Sequence, residues 1–191
     1  MMDKVLFSPV CVGYNAEKVI QECLSLQCLN WTQHVNNKAY NGCWDVLPLR
    51  VPRIHTNSHE VLQSFAIENC QDWQNLDCLN DLVATKALLD ALCAPIHSVR
   101  LMRLHPGSRI LPHRDKGLSL EHGYARLHLP IIFSSDVTFQ VANRRVPMEL
   151  GQLWYIDANE LHEVLNDGSD ERINLVVDCE ATAELTKMIS R

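Results

Sequence analysis

His113 and Asp115 are separated by one position in the stretch LPHRDKG, and this spacing is compatible with two chemistries. A His-Arg-Asp triplet occurs in kinase catalytic loops, and a His-x-Asp pair can supply two of three ligands to an iron ion. A kinase loop needs an asparagine five residues after its aspartate to hold a second magnesium ion. That position is Leu120, and the sequence contains neither a glycine-rich phosphate loop nor Asp-Phe-Gly. The kinase interpretation is therefore excluded.

A metal site needs a third ligand, and His162 in DANELHEVL is the candidate, 49 residues after His113. Residues i and i+2 of a strand point to the same face, so His113 and Asp115 can both face the interior of a barrel. Two imidazoles and one carboxylate on one face of an octahedral ion leave three positions open, as in non-haem Fe(II) oxygenases. The alternative is a polar pair at a turn, with His162 on a surface helix.

Three other polar residues lie within apolar stretches. Arg172 stands at the start of the apolar segment INLVVDC. Burying a guanidinium there costs free energy unless it pairs with an anion, and the planar guanidinium group can donate two hydrogen bonds to a carboxylate. Arg126 and His128 in YARLHLPI share one face and would point into a barrel together. The alternative for this pair is a salt-bridged arginine beside a hydrogen-bonded core histidine.

From Val99 onward the sequence consists of short β-rich segments separated by turns. Six strand-like segments within about 80 residues are typical of a sandwich or a jelly-roll barrel. They are VRLMRL, RILPHRD, YARLHLPIIF, VTFQV, GQLWYI and RINLVVDC.

The first half of the chain favours helices, with apolar residues at helical spacing. The predicted helices are NAEKVIQECLSL, NSHEVLQSFAIEN and LNDLVATKALLDALC, with Asn15, Ser58 and Asn80 as N-caps. GCWDVLPLRVP is predicted to be extended, and ATAELTKMIS to be a closing helix that packs on the sheet. We expect a single domain over 1–191, in which a helical and extended part (1–98) packs on a barrel core (99–179) that is followed by a C-terminal helix (180–191).

Composition narrows the class of protein. Apolar residues make up 47% and charged residues 21%, as in soluble globular proteins. The net charge of -6 argues against broad binding to nucleic acid or an anionic membrane, because either needs a concentrated basic face. The basic runs at Arg50–Arg53, Arg100–Arg103 and Arg144–Arg145 are interpreted as solvated or paired arginines. No signal peptide or membrane span is predicted, so we expect a cytoplasmic protein.

The eight cysteines include no Cys-x-x-Cys pair. A chain with this apolar content does not need disulfides for stability, so reduced and mostly buried thiols are expected.

Four segments, HPGSRILPHRD, RLHLPI, GQLWYIDANELHEVLNDG and ERINLVVD, follow one another at the spacing of a known family. They resemble the aspartyl/asparaginyl β-hydroxylases, a branch of the Fe(II)- and 2-oxoglutarate-dependent oxygenases that includes bacterial amino-acid hydroxylases such as proline cis-4-hydroxylase. The resemblance covers about residues 99–179 and implies a double-stranded β-helix. The whole chain is thus expected to be mainly β with flanking helices (α+β).

By this resemblance His113, Asp115 and His162 hold Fe(II). Arg172 meets the distal carboxylate of the co-substrate 2-oxoglutarate, and Arg126 and His128 lie near its 1-carboxylate. Animal members show glycine in place of the ligand carboxylate, so Asp115 makes this chain more similar to the bacterial members. Met102 stands where the animal members use a serine that contacts the co-substrate.

The implied reaction is hydroxylation of an aliphatic carbon in an amino acid or amino-acid-like substrate, with O2 consumed and succinate and CO2 released. Two other functions stay open at this point. A non-oxidative metal-dependent barrel enzyme such as an isomerase would bind metal without releasing succinate. A non-catalytic barrel that binds a small acid would show ligand stabilisation without turnover. Trp44 and Arg50 could line a substrate pocket, although core packing and a surface charge are the simpler interpretations.

Overall fold

The computed structural model describes residues 4–63, 70 and 72–189. Within them the helices are α1 (Ala16–Ser25), α2 (Glu60–Gln63), α3 (Asp77–Asn80), α4 (Val83–Ala91) and α5 (Ala183–Ile189). The strands are β1 (Phe7–Pro9), β2 (Thr32–Gln33), β3 (Tyr40–Asn41), β4 (Trp44–Pro52), β5 (Trp73–Asn75), β6 (Ile96–Leu104), β7 (Arg109–His113), β8 (Tyr124–Ile132), β9 (Val137–Val141), β10 (Arg144–Arg145), β11 (Trp154–Ile156), β12 (His162–Asn166) and β13 (Arg172–Glu180).

These strands form two antiparallel sheets. The larger sheet has the order β1-β11-β8-β13-β6-β4-β2, with β5 paired to β4. The smaller sheet has the order β10-β9-β12-β7-β3. The mainly β architecture with flanking helices is confirmed, and the crossing order of its strands is that of a jelly roll.

The long strands of the larger sheet bury both faces, and alternation along each strand separates the two cores. On β13, Leu175 and Val177 belong to the core under the helices, whereas Val176 belongs to the core between the sheets. Because successive strand residues point to opposite faces, the buried polar residues of β6, β8 and β13 fall on the inner face, among them Arg100, Arg126 and Asp178. The sheet therefore presents its buried polar side chains to the space between the sheets.

The outer face of this sheet is covered by helices. The core under the helices contains side chains from three of them, namely Val19 and Cys23 of α1, Leu88 of α4 and Leu185 of α5. This covering explains why the strands read as near-continuous apolar runs rather than as simple alternation.

The N-terminal half is less helical than its sequence suggested. It supplies β4, a nine-residue strand that lies between β6 and β2 in the larger sheet, and it also supplies β3 to the smaller sheet. The predicted extended segment GCWDVLPLRVP is thus an internal strand of the larger sheet.

The predicted N-caps had different outcomes. Asn15 caps α1 through a bond from the Lys18 amide to its side chain at 3.0 Å. Ser58 lies two residues before α2 and bonds the His55 ring at 3.3 Å, so it is not the adjacent cap. The remainder of the predicted second helix, residues 64–69, lies outside the described residues. Asn80 was wrongly assigned, because it ends α3, and α4 begins only at Val83.

Helix α4 is capped from a distance by Glu22 of α1. The Glu22 carboxylate accepts bonds from the Ala84 amide at 2.7 Å and the Thr85 amide at 2.8 Å, and from the Thr85 hydroxyl at 2.8 Å. A carboxylate at a helix N-terminus satisfies free N–H groups and interacts favourably with the helix dipole.

The six strands predicted after Val99 all form, and the sequence prediction missed β12, the short strand that begins at His162. The alternative placement of His162 on a surface helix is wrong.

None of the eight cysteines is in a disulfide, but only Cys23 and Cys179 are buried, so the expected burial was wrong for most thiols. Among the described residues, the helices are too short or too polar to cross a membrane.

We expect Glu22→Ala to lower the free energy of unfolding by about 1–2 kcal/mol, because the amides at the start of α4 lose their acceptor. Chemical denaturation monitored by circular dichroism measures this change. Glu17→Ala, which removes an exposed glutamate from the first turn of the same α1, is the matched control. Equal losses in the two variants would contradict the capping role.

Candidate metal centre

His113 and His162 occupy directly opposed positions on the neighbouring strands β7 and β12. Their ring centroids are 4.2 Å apart. Asp115 follows the end of β7, and its amide bonds the Ala158 carbonyl at 2.8 Å, which holds it beside the segment that leads into β12. The strand pairing thus brings together the three predicted ligands from distant parts of the sequence.

The ligand atoms of these three residues lie within 4.8 Å of one another. Asp115 Oδ1 is 4.0 Å from Nε2 of His113, and Asp115 Oδ2 is 3.8 Å from Nε2 of His162. Two nitrogens and a carboxylate that converge in this way form a facial donor set suited to Fe(II).

Both imidazoles are oriented by backbone carbonyls. His113 Nδ1 lies 2.7 Å from the Leu111 carbonyl oxygen, and His162 Nδ1 lies 2.9 Å from the Glu160 carbonyl oxygen. A carbonyl oxygen only accepts, so Nδ1 of each ring carries the proton and Nε2 keeps its lone pair. Burial, reinforced by His113, lowers the pKa of His162 to about 4, so this ring is neutral at physiological pH. The site is therefore preorganised for a metal ion.

The Asp115 carboxylate is kept ionised by its surroundings. Burial alone would raise its pKa, but the positive charge of Arg126, which donates to Asp115 Oδ2, brings the pKa below its usual value. An ionised carboxylate is the form that binds a metal ion.

A second carboxylate, Asp178 on β13, holds Arg126 from the other side. Arg126 donates through Nε to Asp178 Oδ1 at 2.7 Å and through Nη2 to Oδ2 at 2.9 Å. The same Oδ2 accepts from Arg100 Nη2 at 3.0 Å and from the Ser98 hydroxyl at 3.0 Å. Arg126 is thus fixed by two carboxylates, and its contact with Asp115 depends on Asp178.

Arg172 has a different environment. It is only 2% exposed, and among the described residues it has no carboxylate at ion-pair distance. With the Asn174 amide oriented to accept, Arg172 Nη2 donates to it at 2.9 Å, and the Phe139 ring lies 5.6 Å from the guanidinium carbon. Burial lowers the pKa of Arg172 to about 10. A buried guanidinium without an anion is costly, which indicates a site for an anionic ligand.

His128 is buried on β8 beside this guanidinium, and its Nδ1 has no hydrogen-bond partner among the described residues. Burial, with Arg172 and Arg126 nearby, lowers its pKa well below the ordinary value, so the ring is neutral. An unpartnered ring nitrogen at a cavity wall is available to a ligand.

One cavity of about 290 Å³ lies between the two sheets, and it is lined by the three candidate ligands together with Arg100, Arg126, His128, Phe139 and Arg172. One wall is aromatic, since His34 stacks on Trp44 with ring centroids 3.7 Å apart and planes 12° apart. Trp44 therefore lines the cavity. Arg50 does not, because its guanidinium bonds the Ile96 carbonyl and the Asn75 side chain.

Sequence reasoning missed three polar contributors to this region. Arg100 was interpreted as a solvated or paired arginine. It is paired, with Asp178, but its burial beside the cavity was not foreseen, and its Nε has no partner among the described atoms. Asp178 and His34 were not singled out. Asp178 could have been found from the sequence, because it is the one acidic residue in the apolar segment INLVVDC and a buried carboxylate needs a cationic partner.

A jelly roll whose interior carries a His-x-Asp pair and a distant histidine defines a class of non-haem metalloprotein. Comparison with known proteins narrows the class. The family model for aspartyl/asparaginyl β-hydroxylase matches residues 15–182, so the chain belongs to that family.

An L-proline cis-4-hydroxylase from Rhizobium meliloti (strain 1021) is 32% identical over 110 residues, which cover 58% of this chain and 38% of that protein. A 2OG-Fe(II) oxygenase family oxidoreductase from Burkholderia pseudomallei has a similar fold, with a TM-score of 0.54 and 17% identity, over 85% of this chain and 79% of the other. HygX from Streptomyces hygroscopicus, solved with nickel and 2-oxoglutarate, gives a TM-score of 0.53 and 12% identity, over 95% and 85% of the two chains. These two structures support the fold assignment.

We expect Asp178→Asn to lower the free energy of unfolding by about 3–5 kcal/mol, because two buried guanidiniums lose their shared counter-charge. Urea denaturation followed by tryptophan fluorescence measures the change. The control is Asp72→Asn, which breaks an exposed pair with Arg53 whose side chains are 65% and 60% exposed. It should cost less than about 1 kcal/mol. Similar losses in both variants would mean that Asp178 does not neutralise the buried arginines.

Proposed function

We propose that this protein is an Fe(II)- and 2-oxoglutarate-dependent oxygenase that hydroxylates an aliphatic carbon of a small amino acid or amino-acid-like substrate. The observation that carries the proposal is the presence of two complementary features in one cavity. The convergent ligand atoms of His113, Asp115 and His162 suit Fe(II), and the buried guanidinium of Arg172 has no carboxylate partner in the part of the chain that the structure describes.

Family membership and the relatives support this function. The matched Rhizobium protein is a proline hydroxylase, and the fold neighbour HygX binds nickel and 2-oxoglutarate. The alignment covers 38% of the proline hydroxylase. We therefore propose hydroxylase activity for this chain on the strength of its own cavity together with this partial match.

The three ligands would hold iron through Nε2 of both histidines and the Asp115 carboxylate. Bound iron, with 2-oxoglutarate and O2, supplies the oxidising power for hydroxylation, and succinate and CO2 are the by-products. The chain's own contribution is to position its ligands and charges. Arg126 donates to the Asp115 carboxylate and so orients this metal ligand. Its influence on the co-substrate would therefore be partly indirect, through the position of Asp115.

Arg172 would bind the distal carboxylate of 2-oxoglutarate, since a planar guanidinium can donate two parallel bonds to it. Neutral His128, whose Nδ1 is unpartnered, would donate a hydrogen bond near the other end of the co-substrate. The Phe139 ring lies beside His128, with centroids 5.3 Å apart, and beside the guanidinium of Arg172, where it limits access of water.

The charges around the cavity support the proposal that the substrate carries a carboxylate. Arg100, Arg126 and Arg172 carry three positive charges, and Asp115 and Asp178 carry two negative charges, which leaves one positive charge. Iron and 2-oxoglutarate bring equal and opposite charges, so this excess remains when both are bound. A substrate carboxylate would neutralise this excess locally, and Arg100, whose Nε is unpartnered among the described atoms, is the group placed to meet it.

The first test mixes the protein with Fe(II) and 2-oxoglutarate without oxygen and records the visible metal-to-ligand charge-transfer band. We expect a band in the wild type and none in His162→Ala. In Arg172→Met, half-maximal absorbance should need at least about 30-fold more 2-oxoglutarate, because a charge-assisted contact is lost. Arg145→Met removes an exposed arginine bonded to the Ser135 carbonyl and should change nothing.

Iron binding without the band would refute the oxygenase proposal and favour a non-oxidative metal enzyme. A band in the wild type with an unchanged 2-oxoglutarate requirement in Arg172→Met would keep the oxygenase but remove the role of Arg172. Ligand-induced thermal stabilisation without oxygen-dependent succinate release would indicate a binding module.

The second test concerns the substrate class. Succinate release with O2 should be stimulated by a free L-amino acid and not by the same amino acid as its carboxamide. Arg100→Gln should raise the substrate KM and leave the 2-oxoglutarate requirement unchanged, and Arg100→Lys should restore part of the loss because it keeps the charge. Equal stimulation by acid and amide would contradict recognition of a carboxylate.

A further inference from the structure

A second group of metal-binding side chains lies outside the cavity, where β4 begins and β6 ends. Cys43, Asp45 and His105 place a thiol, a carboxylate and an imidazole within 4.8 Å of one another. Cys43 Sγ is 3.5 Å from Asp45 Oδ1, and His105 Nε2 is 2.7 Å from Asp45 Oδ2. Ligands of one tetrahedral zinc ion lie roughly 3.3–3.8 Å apart, so small side-chain rotations bring all three onto one ion.

The backbone around this cluster is rigid. The Cys43 amide bonds the buried Ser108 hydroxyl at 2.9 Å, and the His105 amide bonds the Cys43 carbonyl at 3.1 Å. Gly42, with φ +89°, permits this approach, because a Cβ there would meet Ser108 Oγ at 2.3 Å. Cys43 and His105 therefore do not depend on a flexible loop for their proximity.

The charges beside the cluster suit a divalent ion. Glu171 Oε1 is 3.5 Å from His105 Nδ1, the ring nitrogen away from Asp45, so Glu171 can orient the imidazole from outside the ligand group. Arg103 contacts Asp45 at 2.8 Å and Glu171 at 3.9 Å. A thiolate, two carboxylates and one guanidinium sum to two negative charges, which one divalent ion neutralises. Cys43 and His105 are partly exposed, so an ion can reach them from solvent.

We propose that Cys43, Asp45 and His105 bind a thiophilic divalent cation such as Zn²⁺, with water as the fourth ligand. Thiolate, imidazole and carboxylate form the donor set that zinc prefers, and it differs from the sulfur-free set inside the cavity. Trp44 lies between Cys43 and Asp45 in the sequence and points to the opposite face, into the cavity. The ion would thus anchor the strand segment that carries the aromatic wall.

The test uses Co²⁺ as a spectroscopic probe for zinc in the full chain. We expect a near-ultraviolet thiolate-to-cobalt charge-transfer band that Zn²⁺ bleaches at one equivalent. The band should be lost in Cys43→Ser and retained in Cys93→Ser, the control at an exposed cysteine elsewhere. It should also persist in His162→Ala, because the cavity site offers no thiolate. This result is independent of the proposed oxygenase activity.

His105→Gln keeps the thiol and tests the cluster without relying on the cysteine variant. It should weaken Co²⁺ binding by about 10–100-fold or more. Circular dichroism verifies that each variant is folded. Absence of the band in the wild type, its persistence in Cys43→Ser, or unchanged affinity in His105→Gln would each overturn the proposal.

Discussion

The buried ion pairs of Asp178 with Arg100 and Arg126 are the interactions on which the polar side chains between the two sheets depend. Two guanidiniums, from Arg100 and Arg126, enter the space between the sheets, and each would be costly without a counter-charge. Asp178 meets both from the central strand β13, and Arg126 in turn holds Asp115. The orientation of one predicted metal ligand is therefore linked, through two ion pairs, to a strand in the middle of the larger sheet.

The candidate ligands His113 and Asp115, and the buried Arg172, could be singled out from the sequence because each is signalled by its immediate surroundings. A His-x-Asp pair at a strand end and a guanidinium at the start of an apolar strand are local patterns. The strand-like segments after Val99 were also recognisable, because β-branched and aromatic residues are concentrated there and turn residues separate them.

Features that depend on distant parts of the chain could not be predicted in this way. The strand HEVLN, at residues 162–166, contains charged and amide residues, and it is a strand because β7 and β9 pair with it on both sides. Helix α4 takes its cap from Glu22, about sixty positions earlier in the sequence, so the local candidate Asn80 was misleading. The burial of Arg100 was not predictable from its own segment, because its partner Asp178 lies 78 positions away.

The opposed positions of His113 and His162 on β7 and β12 bear on whether folding or metal binding comes first. Their 49-residue separation means that both come into place only when a long loop has closed and the smaller sheet has paired. In small zinc domains, ligands close in sequence let the ion itself drive folding. Here only His113 and Asp115 are close in the sequence, and His162 joins them when β12 has paired with β7, so we expect the apo-protein to fold first and the metal ion to bind afterwards.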